Sequence, residues 1–267
     1  MAFLDARRFR GHHLATVARR EQVGPHMVRV TLEGEDLTGF TAHGFDQWVR
    51  LFLPRTDGPT DYSRVPQGFG IAGALKYLTT GSGVRPPVRS YTIRELRPEA
   101  GELDIDFVAH GDEGIAGPWA QRARAGEQVM MIDQGRGFDP DEDASSVLLV
   151  GEESALPALL GILRDLPRST AGTALIEIPE QADAQEHEAP EDVEVRWLPR
   201  KEPHDRPGVL ALEALRELVP SDGARLQAYL AGEQALVAEG RRHLVANGVP
   251  KKRIVFTGYW KVGRAAL

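Results

Sequence analysis

The sequence predicts a two-domain β plus α/β protein: an N-terminal antiparallel Greek-key β-barrel, then an α/β domain built on a mostly parallel sheet. Three observations carry this expectation. Segments in the first half have period two, segments in the second half alternate apolar runs with helix-length stretches, and the polar, acidic run Asp139 to Ser145 lies between them. The domains are expected over residues 1–142 and 143–267. A chain of 267 residues is long enough to bury a sizeable core in two such units.

The elements follow in order. Val28, Val30 and Leu32 share one side of a strand, with Met27, Arg29 and Thr31 on the other. Leu14 to Arg20, Trp48 to Leu53, Val88 to Arg94, Leu103 to Ala109 and Gln128 to Ile132 read the same way, separated by Gly, Pro or acidic turns. Pro54 to Pro87 is a long excursion rich in Gly, Pro, Ser and Thr, with room for a short helix at Gly73 to Leu78; it is either a mobile insertion or a cover for a site. Beyond residue 143 come a strand at Val147 to Val150, a helix at Ala155 to Leu166, strands at Thr173 to Ile178 and Val193 to Leu198, and a helix at Leu210 to Val219. A strand at Leu226 to Ala231, a helix at Gln234 to Asn247 and a strand at Ile254 to Thr257 complete the alternation. The acidic segment Gln181 to Asp192 is read as a solvent loop.

Composition excludes several chemistries. Lys plus Arg number 32 against 39 Asp plus Glu, a formal net charge of -7, so the overall field does not favour nucleic acid. Without cysteine there is no disulfide framework, thiolate nucleophile, Cys-ligated iron–sulfur cluster or Cys-containing zinc site, and redox chemistry would need a bound organic cofactor. The eight histidines are too scattered to define a metal site, and His12 and His13 are read as surface residues. Asp104 and Asp106 share a strand face that solvent exposure explains. GxGxxG, the P-loop, Gly-x-Ser-x-Gly and His-Glu-x-x-His are all missing. No secretory signal or bilayer-length apolar run occurs, so a cytoplasmic protein without membrane insertion is expected.

Candidate sites gather in a few blocks. In Arg89-Ser90-Tyr91-Thr92, Arg89 and Tyr91 fall on one strand face, where a guanidinium could pair with phosphate and a ring could pack on an aromatic cofactor; an ordinary polar barrel face fits as well. From Asp106 to Ala120 a Gly-rich turn enters a helix near Pro118, placing backbone N–H groups where a pyrophosphate could meet them. His110 either bonds a cofactor or closes that turn, and Gly111, Gly114 and Gly117 could be turn formers only. Gly151-Glu152-Glu153-Ser154, Gly232-Glu233 and Gly258-Tyr259-Trp260 each follow a strand, as the walls of a shared cleft at a sheet's carboxyl edge would.

Taken together with Ala155-Leu156-Pro157-Ala158, Arg241-Arg242 and Lys261-Val262-Gly263, these blocks resemble the siderophore-interacting, FAD-binding ferric-chelate reductases of the ferredoxin-reductase-like group over nearly the whole chain. The resemblance implies an FAD-binding barrel followed by a nicotinamide-binding domain. It implies Arg89 on FAD phosphate, Tyr91 and Thr92 on the flavin with Ser90 between them, and His110 and Gly111 near FAD. Ala116, Trp119 and Ala120 would stand at the pyrophosphate helix entry. Glu153, Ser154, Gly232 and Glu233 would line the nicotinamide cleft, and Tyr259 and Trp260 would lie near the flavin's exposed side. Arg50, Arg136 and Lys261 match basic positions that receive an anionic iron chelate.

The implied reaction is hydride transfer from NADPH or NADH to FAD, then single-electron reduction of a ferric siderophore or other ferric chelate to release iron(II). Alternatives are a ferredoxin-dependent flavoprotein and a non-enzymatic chelate carrier. A monomer is expected. Two departures stand out: Asp133-Gln134-Gly135-Arg136 replaces a more usual Gly-Pro-Arg-Gly-type turn, and Trp48 occupies a position where His is common.

Overall fold

The computed structural model describes residues 11–66, 85–109, 114–218 and 222–263, with positions 73, 77, 79 and 81. Its first half holds β1 (His13–Gly24), β2 (Met27–Glu33), β3 (Trp48–Phe52), β4 (Val88–Thr92), β5 (Glu95–Arg97), β6 (Glu102–Val108), α1 (Ala116–Arg122) and β7 (Gln128–Asp133). The strands form one sheet in the order β4-β3-β7-β1-β2-β6-β5, antiparallel throughout. Its two edge strands are consecutive in the chain. Ile93 N donates to Gln47 O on the β3 side (2.8 Å), while Arg94 N donates to Asp104 O on the β6 side (2.8 Å). That two-residue kink carries the run from one edge to the other and closes the barrel.

Alternation fills the barrel as expected. Val28, Val30 and Leu32 of β2 and Leu103, Ile105 and Phe107 of β6 are buried together with Leu51, Val129 and Met131. The expectation that solvent explains Asp104 and Asp106 is corrected, because each is only 4% exposed. Arg29 reaches Asp106 at 2.7 and 2.9 Å; Arg97 and Thr31 reach Asp104 at 2.7 to 2.9 Å. Cross-strand pairing thus covers the outer face with guanidinium stems and holds the Asp104 carboxyl below its usual range. His12 and His13 are half-buried rather than free surface residues: His12 Nε2 lies 2.8 Å from Pro66 O, and the His13 ring lies 4.6 Å from that of Phe40. Within the excursion Gly73 and Tyr77 are helical, and the residues between them lie outside the described set.

The second half alternates β8 (Ser146–Gly151), α2 (Leu156–Asp165), β9 (Gly172–Ile178), β10 (Val193–Pro199), α3 (Val209–Glu217), β11 (Leu226–Glu233), α4 (Gln234–Ala246) and β12 (Ile254–Trp260). All pairs are parallel, in the order β10-β9-β8-β11-β12. One face packs on α2 through Leu149, Ala174, Ile176 and Tyr229; the other packs on α3 and α4 through Leu148, Val150, Leu175 and Leu230. Strand order reverses between β8 and β11, which opens a crevice at their carboxyl ends. Among the described residues no helix is long and apolar enough to cross a membrane.

The two sheets meet along a polar seam. Asp46, just before β3, accepts from Gly137 N (3.0 Å) and Phe138 N (2.8 Å) and from the Tyr229 hydroxyl of β11. Asp165 at the end of α2 accepts from Phe45 N at 2.5 Å, and Arg164 reaches Arg94 O at 3.1 Å. Gly161 of α2 passes so close that an added Cβ would run into the Phe45 carbonyl oxygen. Asp183 lies in the segment read as a solvent loop, yet it is buried; it accepts from His26 N (2.8 Å) and contacts His26 Nδ1 (2.8 Å) at the β1–β2 turn.

Inside the second unit, buried Arg200 joins Glu153 (2.7 and 2.8 Å) to Glu177 (3.1 Å). Glu177 also accepts from Gly208 N and Ala211 N at the entry of α3. Arg200→Met would leave two buried carboxylates without their cation and is expected to lower unfolding free energy in urea by about 3–5 kcal/mol. Asp46→Ala, which strands two backbone donors and a phenol, is expected to cost about 2–3 kcal/mol in the same measurement.

Candidate functional site

The carboxyl ends of β8, β11 and β12 converge at the strand-order reversal. After β8 the chain turns through Glu152, Glu153 and Ser154 into α2. Pairing along β11 and β12 runs Gly232↔Gly258 and then Glu233↔Trp260, so Tyr259 is an inserted bulge residue. That bulge brings two successive side chains to the seam, which a regular strand would send to opposite faces. The Tyr259 hydroxyl lies 3.0 Å from that of Tyr229, while Trp260 Nε1 donates to Glu152 Oε1 at 2.9 Å. Gly232 sits at φ 122°, and a Cβ there would come within 2.5 Å of Glu152 Oε1, so both conformation and space call for glycine.

The barrel contributes Thr92, whose side chain hydrogen-bonds the Tyr259 hydroxyl. Thr92, Tyr259, Tyr229 and Asp46 therefore form one buried chain of polar groups across the seam. Burial drives the Tyr259 phenol up to about 12, lifts Tyr229 well above the ordinary phenol value and raises the Asp46 carboxyl. Next along β4, Tyr91 is half-buried with its ring 4.4 Å from that of Phe107; Ser90 is exposed, and Arg89 Nη1 donates to Val88 O at 2.7 Å.

At α1, Ala116, Trp119 and Ala120 turn their side chains into the barrel core, with Trp119 Nε1 donating to Glu127 at 3.1 Å. The Trp119 N–H is itself used within the helix, donating to Ile115 O at 3.1 Å, so of the three only Ala116 stands at the helix entry. Gly117 has its Cα against the Val108 carbonyl, where a Cβ would come within 2.8 Å. A cavity of 260 Å³ opens beside this entry, lined by Gly114, Ile115 and Pro118 and by Arg55, Arg85 and Arg122. The wall also holds Asp57, paired with Arg55 at 2.6 Å, so the three guanidiniums leave a cationic excess that suits a diphosphate, while Tyr91 and Thr92 on β4 suit the aromatic and polar parts of a flavin; this donor set fits FAD. His110 and Gly111 lie outside the described residues.

The remaining site residues divide by what they touch. Glu153 is spent on Arg200, and Glu233 caps α4 by accepting from Ala235 N at 2.5 Å and reaches Val262 N at 3.3 Å. Ser154 is half-buried at the crevice, with its N–H and hydroxyl on Glu152. Arg50 reaches Gln134 Oε1 at 3.3 Å and lies 5.7 Å from the Trp48 ring centroid, burial lowering its guanidinium pKa. Arg136 donates to His43 O (2.8 Å), pairs with Asp139 and stacks over Phe45 at 4.7 Å. Lys261 is exposed immediately after β12. Arg50 and Arg136 thus flank the 133–136 turn but point to different neighbours. Glu152, Asp46, Tyr229 and the Arg55, Arg85 and Arg122 trio carry functions of placement or charge that spacing alone does not single out.

Known proteins give this geometry its context. A model described as siderophore-interacting FAD-binding domain matches residues 16–137, and one described as siderophore-interacting protein matches residues 144–263. The chain is 31% identical over 253 residues to the ferric vibriobactin reductase ViuB of Vibrio cholerae, covering 94% of this chain and 90% of that one. It is 32% identical over 251 residues to the NADPH-dependent ferric-chelate reductase of Escherichia coli, covering 92% and 91%. A siderophore utilization protein from T. fusca superposes with a TM-score of 0.81 at 30% identity, over 96% of this chain and 95% of that one. With both halves matched and relatives of this identity aligned along nearly its whole length, the chain belongs to the siderophore-interacting protein family.

Proposed function

We propose that this chain is an NAD(P)H-dependent ferric-chelate reductase that works through bound FAD and releases iron(II) from a ferric siderophore or similar chelate. The observation that carries the reading is the seam itself: Thr92 of the barrel meets Tyr259 of the parallel sheet beside the turn holding Ser154, so two half-sites share one buried network. When bound, FAD supplies the exchange between two-electron hydride chemistry and one-electron delivery to iron.

The chain's residues hold and orient. Arg89, Tyr91 and Thr92, with Ser90, His110 and Gly111, hold the flavin in the domain over residues 1–142. Arg55, Arg85 and Arg122 neutralise the diphosphate beside the α1 backbone. In the domain over residues 143–267, Ser154 and the Gly232 turn receive the nicotinamide, with Tyr259 and Trp260 closing the crevice against water. Glu153 and Glu233 support this wall through Arg200 and the α4 cap rather than by touching ligand. NADPH is the donor named for the Escherichia coli relative, and it takes precedence over ferredoxin because the strand-order crevice is a small-ligand site. All these residues come from one chain, so a monomer suffices, and a cytoplasmic setting supplies the nicotinamide.

Arg50, Arg136 and Lys261 present the cations that would attract an anionic chelate despite the net charge of -7. Anaerobic visible spectra of FAD-loaded protein test the reading. NADPH should bleach the flavin band, and a ferric siderophore with an iron(II)-trapping dye should restore it with dye formation; a band that NADPH and NADH both leave unchanged would overturn nicotinamide dependence. Arg50→Ala and Lys261→Ala are each expected to raise KM for an anionic ferric chelate about five- to tenfold with the NADPH KM unchanged, and added salt should raise the wild-type chelate KM in the same direction.

A further inference from the structure

Glu152 stands apart from the carboxylates that the fold explains. It is wholly buried on the turn leaving β8, and its oxygens meet donors rather than a cation: Trp260 Nε1 and the Ser154 hydroxyl at Oε1, Ser154 N at Oε2 (2.8 Å). The groups around it belong to every element at this sheet end. Glu153 repels it, Arg200 is committed to Glu153 and Glu177, Glu233 is committed to Ala235 N and Val262 N, and the Tyr259 hydroxyl is held by Tyr229 and Thr92. Gly232 presses its backbone onto Oε1. Burial, then the charge of Glu153, push the Glu152 carboxyl up to about 8.

We propose that Glu152 is a positioning residue for the nicotinamide: its proton sets whether the Ser154 hydroxyl offers a donor or only an acceptor to the crevice, while its Oε1 anchors the Trp260 indole. This rests on the reading of Ser154 and Trp260 as nicotinamide-side residues. A hydroxyl has one hydrogen. When Glu152 is neutral its O–H donates to Ser154 Oγ, and the Ser154 hydrogen is free for an acceptor such as a carboxamide oxygen. When Glu152 is ionised, with its proton released to solvent, the carboxylate takes the Ser154 hydrogen and draws the indole N–H more strongly. The charged state therefore tightens Trp260 and weakens the grip on the nicotinamide.

The first measurement uses the apoprotein. Trp260 is one of four tryptophans, so its emission is taken as the difference between wild type and Trp260→Phe from pH 6 to pH 9.5. A single step near pH 8 is expected, absent in Glu152→Gln. In the FAD-loaded enzyme the NADPH KM should rise about five- to tenfold across that step with kcat within about twofold. Ser154→Ala should keep the emission step and lose the KM step, which preserves the test if Glu152→Gln does not fold. A flat wild-type emission, an unchanged step in Glu152→Gln, or a KM step that survives in Ser154→Ala would each overturn the proposal with the reductase reading intact. Failure of wild-type NADPH oxidation at every pH would instead overturn the reductase reading, and the nicotinamide role of Glu152 with it.

Discussion

The structure turns on one buried carboxylate at the joint between its sheets. Asp46 belongs to the barrel side, yet it satisfies the backbone of Gly137 and Phe138 and the phenol of Tyr229 in the parallel sheet. A carboxylate withdrawn from water is tolerated only where donors surround it, so its three partners are fixed together or not at all. From Asp46 the order propagates through Tyr229 and Tyr259 to Thr92, tying the ends of β11 and β12 to β4. The relative position of the two half-sites follows from this chain of hydroxyls, with the close pass of Gly161 over Phe45 setting the distance farther back.

Charge in this protein is local. The buried carboxylates are individually committed: Asp104 and Asp106 to barrel guanidiniums, Glu153 and Glu177 to Arg200, Asp183 to the β1–β2 turn. Such pairs specify where elements sit more than they add to net stability, since desolvation offsets much of the attraction. Arg55, Arg85 and Arg122 line a cavity, Arg55 paired with Asp57 of the same wall, and Lys261 stands in solvent, so these cations lie apart from the clusters inside the barrel wall and the parallel sheet.

Periodicity made the architecture legible. A face such as Val28, Val30 and Leu32 states both strand and inward side, and the strand–helix alternation after residue 143 states a parallel sheet. Three of the blocks carrying the family resemblance, at Gly151 to Ser154, Gly232-Glu233 and Gly258 to Trp260, fall where the carboxyl ends of β8, β11 and β12 come together. Alternation could not reveal that the polar faces of β2 and β6 are sealed by ion pairs, because an outward carboxylate and a covered one read alike in one dimension. Nor could adjacency in Gly151-Glu152-Glu153-Ser154 tell which glutamate turns toward Arg200 and which toward Trp260; that choice is made by the residue just after β10 and the last residue of β12, 47 and 108 residues away along the chain. Tyr259 and Trp260 reach the seam together because of a bulge with no signature of its own.

The closure of the barrel also bears on how such a chain can change over generations. Ile93 and Arg94 hand one continuous run between two edges, so adding or deleting a residue there would shift register on both sides and split the barrel lengthwise. The connection from β3 to β4 joins neighbouring strands at their ends, where extra length costs little in closure entropy. The barrel therefore tolerates added length after Phe52 far better than at the two-residue kink, where a single inserted residue would have to be absorbed by two strand pairings at once.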